Sequence, residues 1–367
     1  MPTDPANFLD DPKRHASLDV SGMHDAIAGF PNHLLTGLQM AADIDWSTTQ
    51  PTTPAGIAIC GMGGSAIGGD LARQYWEHEA PMMITVVRSY ELPAYVNSHW
   101  YIIGSSYSGN TGECLSAVEE ARRRRCRTIL ALASGGRLVA MSAENRWKAI
   151  TLPAGLMPRA ALGYSLGAVL YALAKWGVTG NDPRVLTAEI REHAAAATEF
   201  LKRLGAAWTK DVHTSENQAK HIAEQIGERA VVVLGCSGST DTLAMRWKNQ
   251  MCENGKALGF ATALPESNHH DIIGFDMLDA ESMPVCFISL TSADDHPAIA
   301  KQRQVLAAQL KARGHMVIEV EAQGDDRLTR MLYLVHLGDF VSYYVAIRRG
   351  QDPTPIVAID RLKAALG

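Results

Sequence analysis

The sequence predicts an α/β protein of two similar domains, each built on a parallel sheet flanked by helices. Three observations carry that expectation. From residue 56 onward, short apolar runs alternate with helix-length segments, the βαβ rhythm of a sheet covered by helices. The rhythm stops in a strand-poor helical stretch and restarts near residue 230. The restart also repeats a turn: Gly235-Cys236-Ser237-Gly238-Ser239 follows an apolar run as Gly61-Met62-Gly63-Gly64-Ser65 does, which points to duplication.

In chain order, strands are expected at 56–60, 82–87, 101–105 and 128–133, with helices between them. A helix is expected over 160–176, behind Pro158-Arg159. Residues 183–227, with the Ala-rich run REHAAAATEFLKRL, read as a helical connector. Strands then follow at 230–235, 284–290 and 316–320, with helices between and after them. The expected division is therefore 1–182 (a first domain with a helical N-terminal extension), 183–227 (connector) and 228–367 (a second domain with C-terminal helices).

Composition narrows the function classes. With 367 residues, 47% apolar and 20% charged, the chain is long enough for two globular domains. A net charge of -5 gives no footprint for nucleic acid or a membrane surface, so neither is expected as a partner. The basic run Arg122 to Arg125 with Arg127 reads as a solvated helix end complementing the dipole. Six scattered cysteines without a C-x-x-C pair read as reduced, mostly buried thiols, and no metal-ligand cluster stands out. The acidic start MPTDPANFLDDPKR is unlike a signal peptide, and the cytoplasm is the expected location.

The turn CGMGGSAIGGD (60–70) has the outline G-x-G-x-x-A of a dinucleotide site. Such a site needs an acid at the end of the second strand, where this chain has Val87-Arg88-Ser89. Arg88 keeps an NADP reading open. The competing loop, Gly104-Ser105-Ser106-Tyr107-Ser108-Gly109-Asn110-Thr111, puts four hydroxyls besides Tyr107 before a helix start. Short donors and free backbone N–H groups at a helix N-terminus suit a phosphate monoester. The plainer alternative is that Asn110 or Thr111 only caps the helix.

These motifs resemble the sugar isomerase (SIS) domain proteins, and more closely the bifunctional phosphoglucose/phosphomannose isomerase family. The likeness runs through GMGGSAIGGDL (61–71), RSYELPAYV (88–96), SSYSGNTGE (105–113), PRAALGYSLG (158–167), RWKNQMCENGK (246–256), PESNHHDIIGF (265–275) and DPTPIVAIDRLK (352–363). It implies two SIS-type, flavodoxin-like domains and interconversion of glucose 6-phosphate or mannose 6-phosphate with fructose 6-phosphate through a cis-enediol, with no cofactor or metal.

By that resemblance Glu253 is the base and His269 the ring-opening group, contributed across the interface of a homodimer. Arg159 and Lys363 are the cations opposite the enediolate. The phosphate falls on Ser106, Ser108 and Thr111, with Ser65 and the Gly63-Gly64 backbone. From the residues alone, Glu253 belongs in the last turn of a helix over 240–254 stopped by Asn254-Gly255, at the negative end of the dipole. An exposed Glu253 paired with Lys256 is the other reading, as an ordinary loop residue is for His269 and a solvent-facing one for Lys363. Sixteen residues separate Glu253 from His269, so a turn and a strand could bring both to one pocket. Ser267, His270 and Asp271 depart from the family's Glu-Leu-Asn-His-Asn-Glu pattern, which leaves a phosphosugar sensor without catalysis as the alternative.

Overall fold

The computed structural model describes residues 8–47 and 53–366; the first half of the acidic N-terminal stretch, residues 1–7, lies outside them. In chain order the elements are helices α1 (Pro12–Leu18), α2 (Met23–Ala28) and α3 (Phe30–Asp43), then β1 (Gly56–Cys60), α4 (Gly63–Trp76), β2 (Met83–Val87), β3 (Tyr101–Ser105), α5 (Gly112–Arg123), β4 (Thr128–Ala133), α6 (Gly136–Asn145), β5 (Lys148–Thr151), α7 (Leu162–Lys175) and α8 (Pro183–Ala206). There follow α9 (Gln218–Ile226), β6 (Ala230–Cys236), α10 (Asp241–Glu253), β7 (Gly259–Leu264), α11 (Asp271–Asp276), β8 (Val285–Thr291), α12 (Pro297–Ala312), β9 (Met316–Glu321), α13 (Arg327–Arg348) and α14 (Val357–Leu366). The chain divides into two compact units: residues 29–200, and residues 1–28 together with 201–367.

Within residues 29–200 the parallel sheet has the order β2-β1-β3-β4-β5, the flavodoxin-like arrangement. GIAIC in β1 and YIIGS in β3 are buried at every position, as central strands covered on both faces must be. On one face Cys60, Ile102 and Ala131 pack against Val118 of α5 and Leu138 of α6. β5 was not among the expected strands; KAIT is short, polar and at the sheet edge.

The second unit carries a parallel sheet of order β7-β6-β8-β9. Its longest helix, α13, is buried along nearly its whole length, so it is apolar all round rather than striped. The exceptions are paired. The buried Arg246 guanidinium on α10 donates to Asp339 on α13 at 3.2 and 2.8 Å, and Gln250 Nε2 donates to the same carboxylate at 2.7 Å. Trp247 Nε1 donates to the Leu334 carbonyl at 2.8 Å. Residues Arg246, Trp247 and Gln250 of the RWKNQ motif thus fix α10 on α13, which sets where the end of α10 lies.

Candidate active-site residues

In the first sheet the chain reverses direction across β1, from β2 on one side to β3 on the other, and ligands of open parallel sheets bind beyond the strand ends at such a point. The turn after β1 and the loop after β3 meet there. The Tyr107 N–H donates to Ser65 Oγ at 3.2 Å, tying the two loops together. Gly61 must be glycine, because a Cβ there would stand 2.7 Å from the Ser105 carbonyl oxygen.

The four hydroxyls assigned to phosphate do not stand alike. Ser106 is buried, and its Oγ lies 2.8 Å from Thr111 Oγ1 while accepting from the Thr111 N–H at 3.4 Å. Ser65 is buried as well. Ser108 is exposed and Thr111 partly so. Ser108 and Thr111 therefore face solvent at the start of α5, while Ser106 orients Thr111 and Ser65 braces the loop. Thr111 is the residue that precedes the helix, but its side chain makes no capping bond, so the plain capping account does not explain it.

Tyr107, set aside in the sequence reading, is the strut of this loop. Its hydroxyl donates to the Pro153 carbonyl at 2.7 Å and accepts from the Leu156 N–H at 3.1 Å, while Ser134 Oγ donates to its carbonyl at 2.6 Å. No periodic signal marks a tyrosine that bonds to residues 27 to 49 positions away.

Arg159 is buried in the same unit, and its backbone abuts the first turn: a Cβ on Gly64 would meet the Pro158 oxygen at 2.9 Å and the Arg159 Cα at 3.3 Å. Arg88 is not free to receive a ribose phosphate, because its guanidinium pairs with Asp70 of α4. The basic run is also more than a solvated helix end. Arg124 donates to the carbonyls of Pro93 and Val96, both at 2.7 Å, and of Leu92 at 2.9 Å.

In the other unit Glu253 is the last residue of α10, half-buried, as the sequence predicts. The left-handed residue that closes the helix is Lys256 (φ 51°) rather than Gly255. Lys256 Nζ donates to the carbonyls of Glu253 at 2.6 Å, Pro355 at 2.5 Å and Pro353 at 3.2 Å. The lysine clamps the DPTP segment onto the helix end that carries Glu253. Lys363 lies exposed on α14, beyond that segment.

His269 is exposed at the end of a short 3-10 turn, Glu266–His269, that follows β7. This corrects the expectation that an intervening strand brings it to Glu253. Glu253 precedes β7 and His269 follows it, so the two flank opposite ends of a six-residue strand. That strand alone is about 17 Å long.

The three departures from the family pattern form a local set. His270 Nδ1 lies 2.7 Å from Asp271 Oδ1, and Thr262 Oγ1 donates to Asp271 Oδ2 at 2.6 Å. The hydrogen bond to Asp271 raises the His270 pKa. Burial pushes Asp271 up, but its bonds from Thr262 and His270 outweigh that and hold it below the usual carboxylate range. Ser267 is buried, and its hydroxyl has no partner among the described residues.

Residues 215–366 match the family described as the bacterial phospho-glucose isomerase C-terminal SIS domain. A bifunctional phosphoglucose/phosphomannose isomerase from Caldicellulosiruptor bescii is 34% identical over 310 residues, 84% of this chain and 89% of the relative. The chain belongs to the bifunctional phosphoglucose/phosphomannose isomerase family. A member from Aquifex aeolicus is 33% identical over 85% of this chain and 90% of its own. The fold is shared more widely: the C-terminal domain of glucosamine-fructose-6-phosphate aminotransferase from Francisella tularensis superposes with a TM-score of 0.68 at 17% identity, covering 91% of this chain and 98% of that one.

Proposed function

We propose that this chain is a phosphosugar aldose-ketose isomerase acting on glucose 6-phosphate or mannose 6-phosphate and fructose 6-phosphate. The observation that carries the reading is Glu253, whose carboxylate stands at the disfavoured pole of a helix while Lys256 holds its backbone carbonyl, in a chain of this family. His269 opens the sugar ring. The Glu253 carboxylate takes the C2 proton, and the C–H electron pair becomes the C1–C2 double bond. The C1 oxygen takes up negative charge opposite Arg159 and Lys363. Return of the proton to C1, with transfer of the C2 hydroxyl proton to the C1 oxygen, makes the C2 carbonyl and leaves the ketose. Ser108 and Thr111 receive the phosphate with the Gly63-Gly64 backbone, and Ser106 and Ser65 shape the loops that present them. The four-residue catalytic set in family order disfavours a sensor that has lost catalysis.

The opposite-end placement of Glu253 and His269 supports a homodimer in which each site takes Glu253 from one subunit and His269 from the other. A mixing experiment tests chemistry and assembly together. Glu253→Gln and His269→Ala should each lose about 10²- to 10⁴-fold in turnover. Refolding the two variants together should restore part of the activity, since a mixed dimer holds one intact site. Near-normal turnover in Glu253→Gln rejects the base; no recovery on mixing rejects the shared site.

The division into domains at 182 and 228 is part of the same reading, supported by the restart of the strand rhythm at β6, although residues 1–28 and 201–227 pack with the unit of the second sheet. Location in the cytoplasm is supported by the scattered, unpaired cysteines. Among the described residues no helix is long and apolar enough to cross a membrane.

A further inference from the structure

We propose that Tyr90 is a further residue that binds the substrate's phosphate monoester, closing the anion site from the side opposite the hydroxyl loop. Tyr90 is 58% exposed, and its hydroxyl makes no hydrogen bond among the described residues. A lone exposed tyrosine is ordinary on a protein surface. What sets this one apart is its position and its anchoring.

Its ring stands over the first residue of α5. A Cβ on Gly112 would lie 3.5 Å from Tyr90 Cε1 and 3.7 Å from its hydroxyl oxygen. Gly112 immediately follows Thr111, and the first N–H groups of a helix have no partner within it. The phenol thus faces the helix end toward which Ser108 and Thr111 already turn. A Cβ at Gly112 would already touch the phenol, so the ring borders the start of α5 with no side chain between them.

The anchoring comes from the same helix. Glu120 accepts the Leu92 N–H at 2.7 Å, and Arg124 gathers the carbonyls of Leu92, Pro93 and Val96. Leu92 and Val96 are themselves buried. One helix therefore supplies the N-terminal donors and, two to three turns on, the grip that fixes the Tyr90 loop beside them. A tyrosine on a fixed loop gives up little conformational freedom when it donates to a phosphate oxygen. This also gives RSYELPAYV (88–96) a purpose that helix and strand patterning did not supply.

The inference rests on the phosphosugar reading above, so its test reads phosphate binding apart from catalysis. Binding of inorganic phosphate is measured by calorimetry on wild type, Tyr90→Phe and Tyr90→Ala, beside steady-state kinetics with hexose 6-phosphates. Tyr90→Phe should weaken phosphate binding roughly tenfold and raise KM by a similar factor, with kcat within about twofold and Tm unchanged. Phenylalanine keeps the ring, so a merely structural role leaves the phosphate affinity where it was. Equal phosphate affinity in wild type and Tyr90→Phe overturns the proposal while leaving the isomerase reading intact. A wild type that binds phosphate but turns over no hexose 6-phosphate removes the isomerase reading, and the Tyr90 comparison still stands on affinity alone. A wild type that binds no phosphate overturns both.

Discussion

The two sheets place a glycine- and serine-rich turn at the same topological point, yet one is open and the other is filled from within. At the first, between β1 and β3, Ser108 and Thr111 face solvent, and among the described residues their hydroxyls meet no carboxylate. At the second, between β6 and β8, the loop after β8 sends Asp295 back into the turn after β6. Ser239 Oγ donates to its Oδ1 at 2.5 Å, the Ser292 N–H donates to its Oδ2 at 3.0 Å, and the buried Arg303 pairs with it. A hydroxyl, a backbone N–H and a cation thus surround the Asp295 carboxylate, whereas under the proposed function the hydroxyls and backbone of the first point receive a phosphate. The duplicate holds its own anion instead. A repeated motif marks a repeated backbone, and the residue opposite the turn decides whether an internal carboxylate fills it.

The most severe way to break the contrast is to give the first point an internal anion too. Ser108→Asp places a carboxylate where the substrate's phosphate is expected, and like charges held close cost several kcal/mol. A loss of about 10³-fold in kcat/KM should follow, with stability changed by no more than about 0.5 kcal/mol, since Ser108 is exposed. Unchanged KM in a folded Ser108→Asp variant removes Ser108 from the phosphate site.

The converse change empties the second point. Asp295→Ala leaves the Arg303 cation buried without its partner, an arrangement that costs about 3–5 kcal/mol. Urea unfolding should report that loss, and KM for the hexose phosphate should stay put in the protein that remains folded. Asp295→Asn keeps an acceptor for Ser239 and should lose less. If Asp295→Ala unfolds at the wild-type midpoint, the carboxylate is not what closes the second turn.

The contrast also marks how far the sequence could be read. GIAIC and YIIGS announce central strands because burial on both faces demands unbroken apolar runs. KAIT in β5 does not, since an edge strand keeps polar residues on its open side. Both glycine- and serine-rich turns were visible, but their difference was not. Asp295 lies 56 residues from Ser239, and nothing in local patterning pairs them. Glu253 was legible as a misplaced helix-end carboxylate. Its relation to His269 was not, because spacing along the chain says they are near while the strand between carries them apart. Tyr107 and Arg124 act through backbone carbonyls far along the chain, and a carbonyl has no letter in a sequence.

The mildest expected effect separates the units that carry the two points. In the unit of the second sheet, His15, His24 and His336 are buried against α13 and its neighbours. His15 Nδ1 lies 2.9 Å from the Tyr343 hydroxyl, His24 Nε2 accepts from the Lys210 N–H at 3.0 Å, and His336 Nε2 lies 3.1 Å from the Ile27 carbonyl. Burial lowers all three pKa values, that of His336 to about 3. In residues 29–200 His33 is lowered by the same cause. A group whose folded pKa is depressed stays neutral in the fold, whereas its unfolded counterpart takes a proton below about pH 6.5. The stability it contributes is therefore complete above that pH and lost as the pH falls toward the folded value. The loss is at most about 1.4 kcal/mol per pH unit for each histidine. Between pH 7 and 5, the second-sheet unit should lose more hydrogen-exchange protection in β6, β8 and α13 than the first loses in β1, β3 and β4. Carboxylates held below their usual range, such as Asp10 and Asp294, lose their contribution only below about pH 3.8, outside that window. Equal loss of protection in both sheets assigns the acid response to something other than the histidines packed against α13.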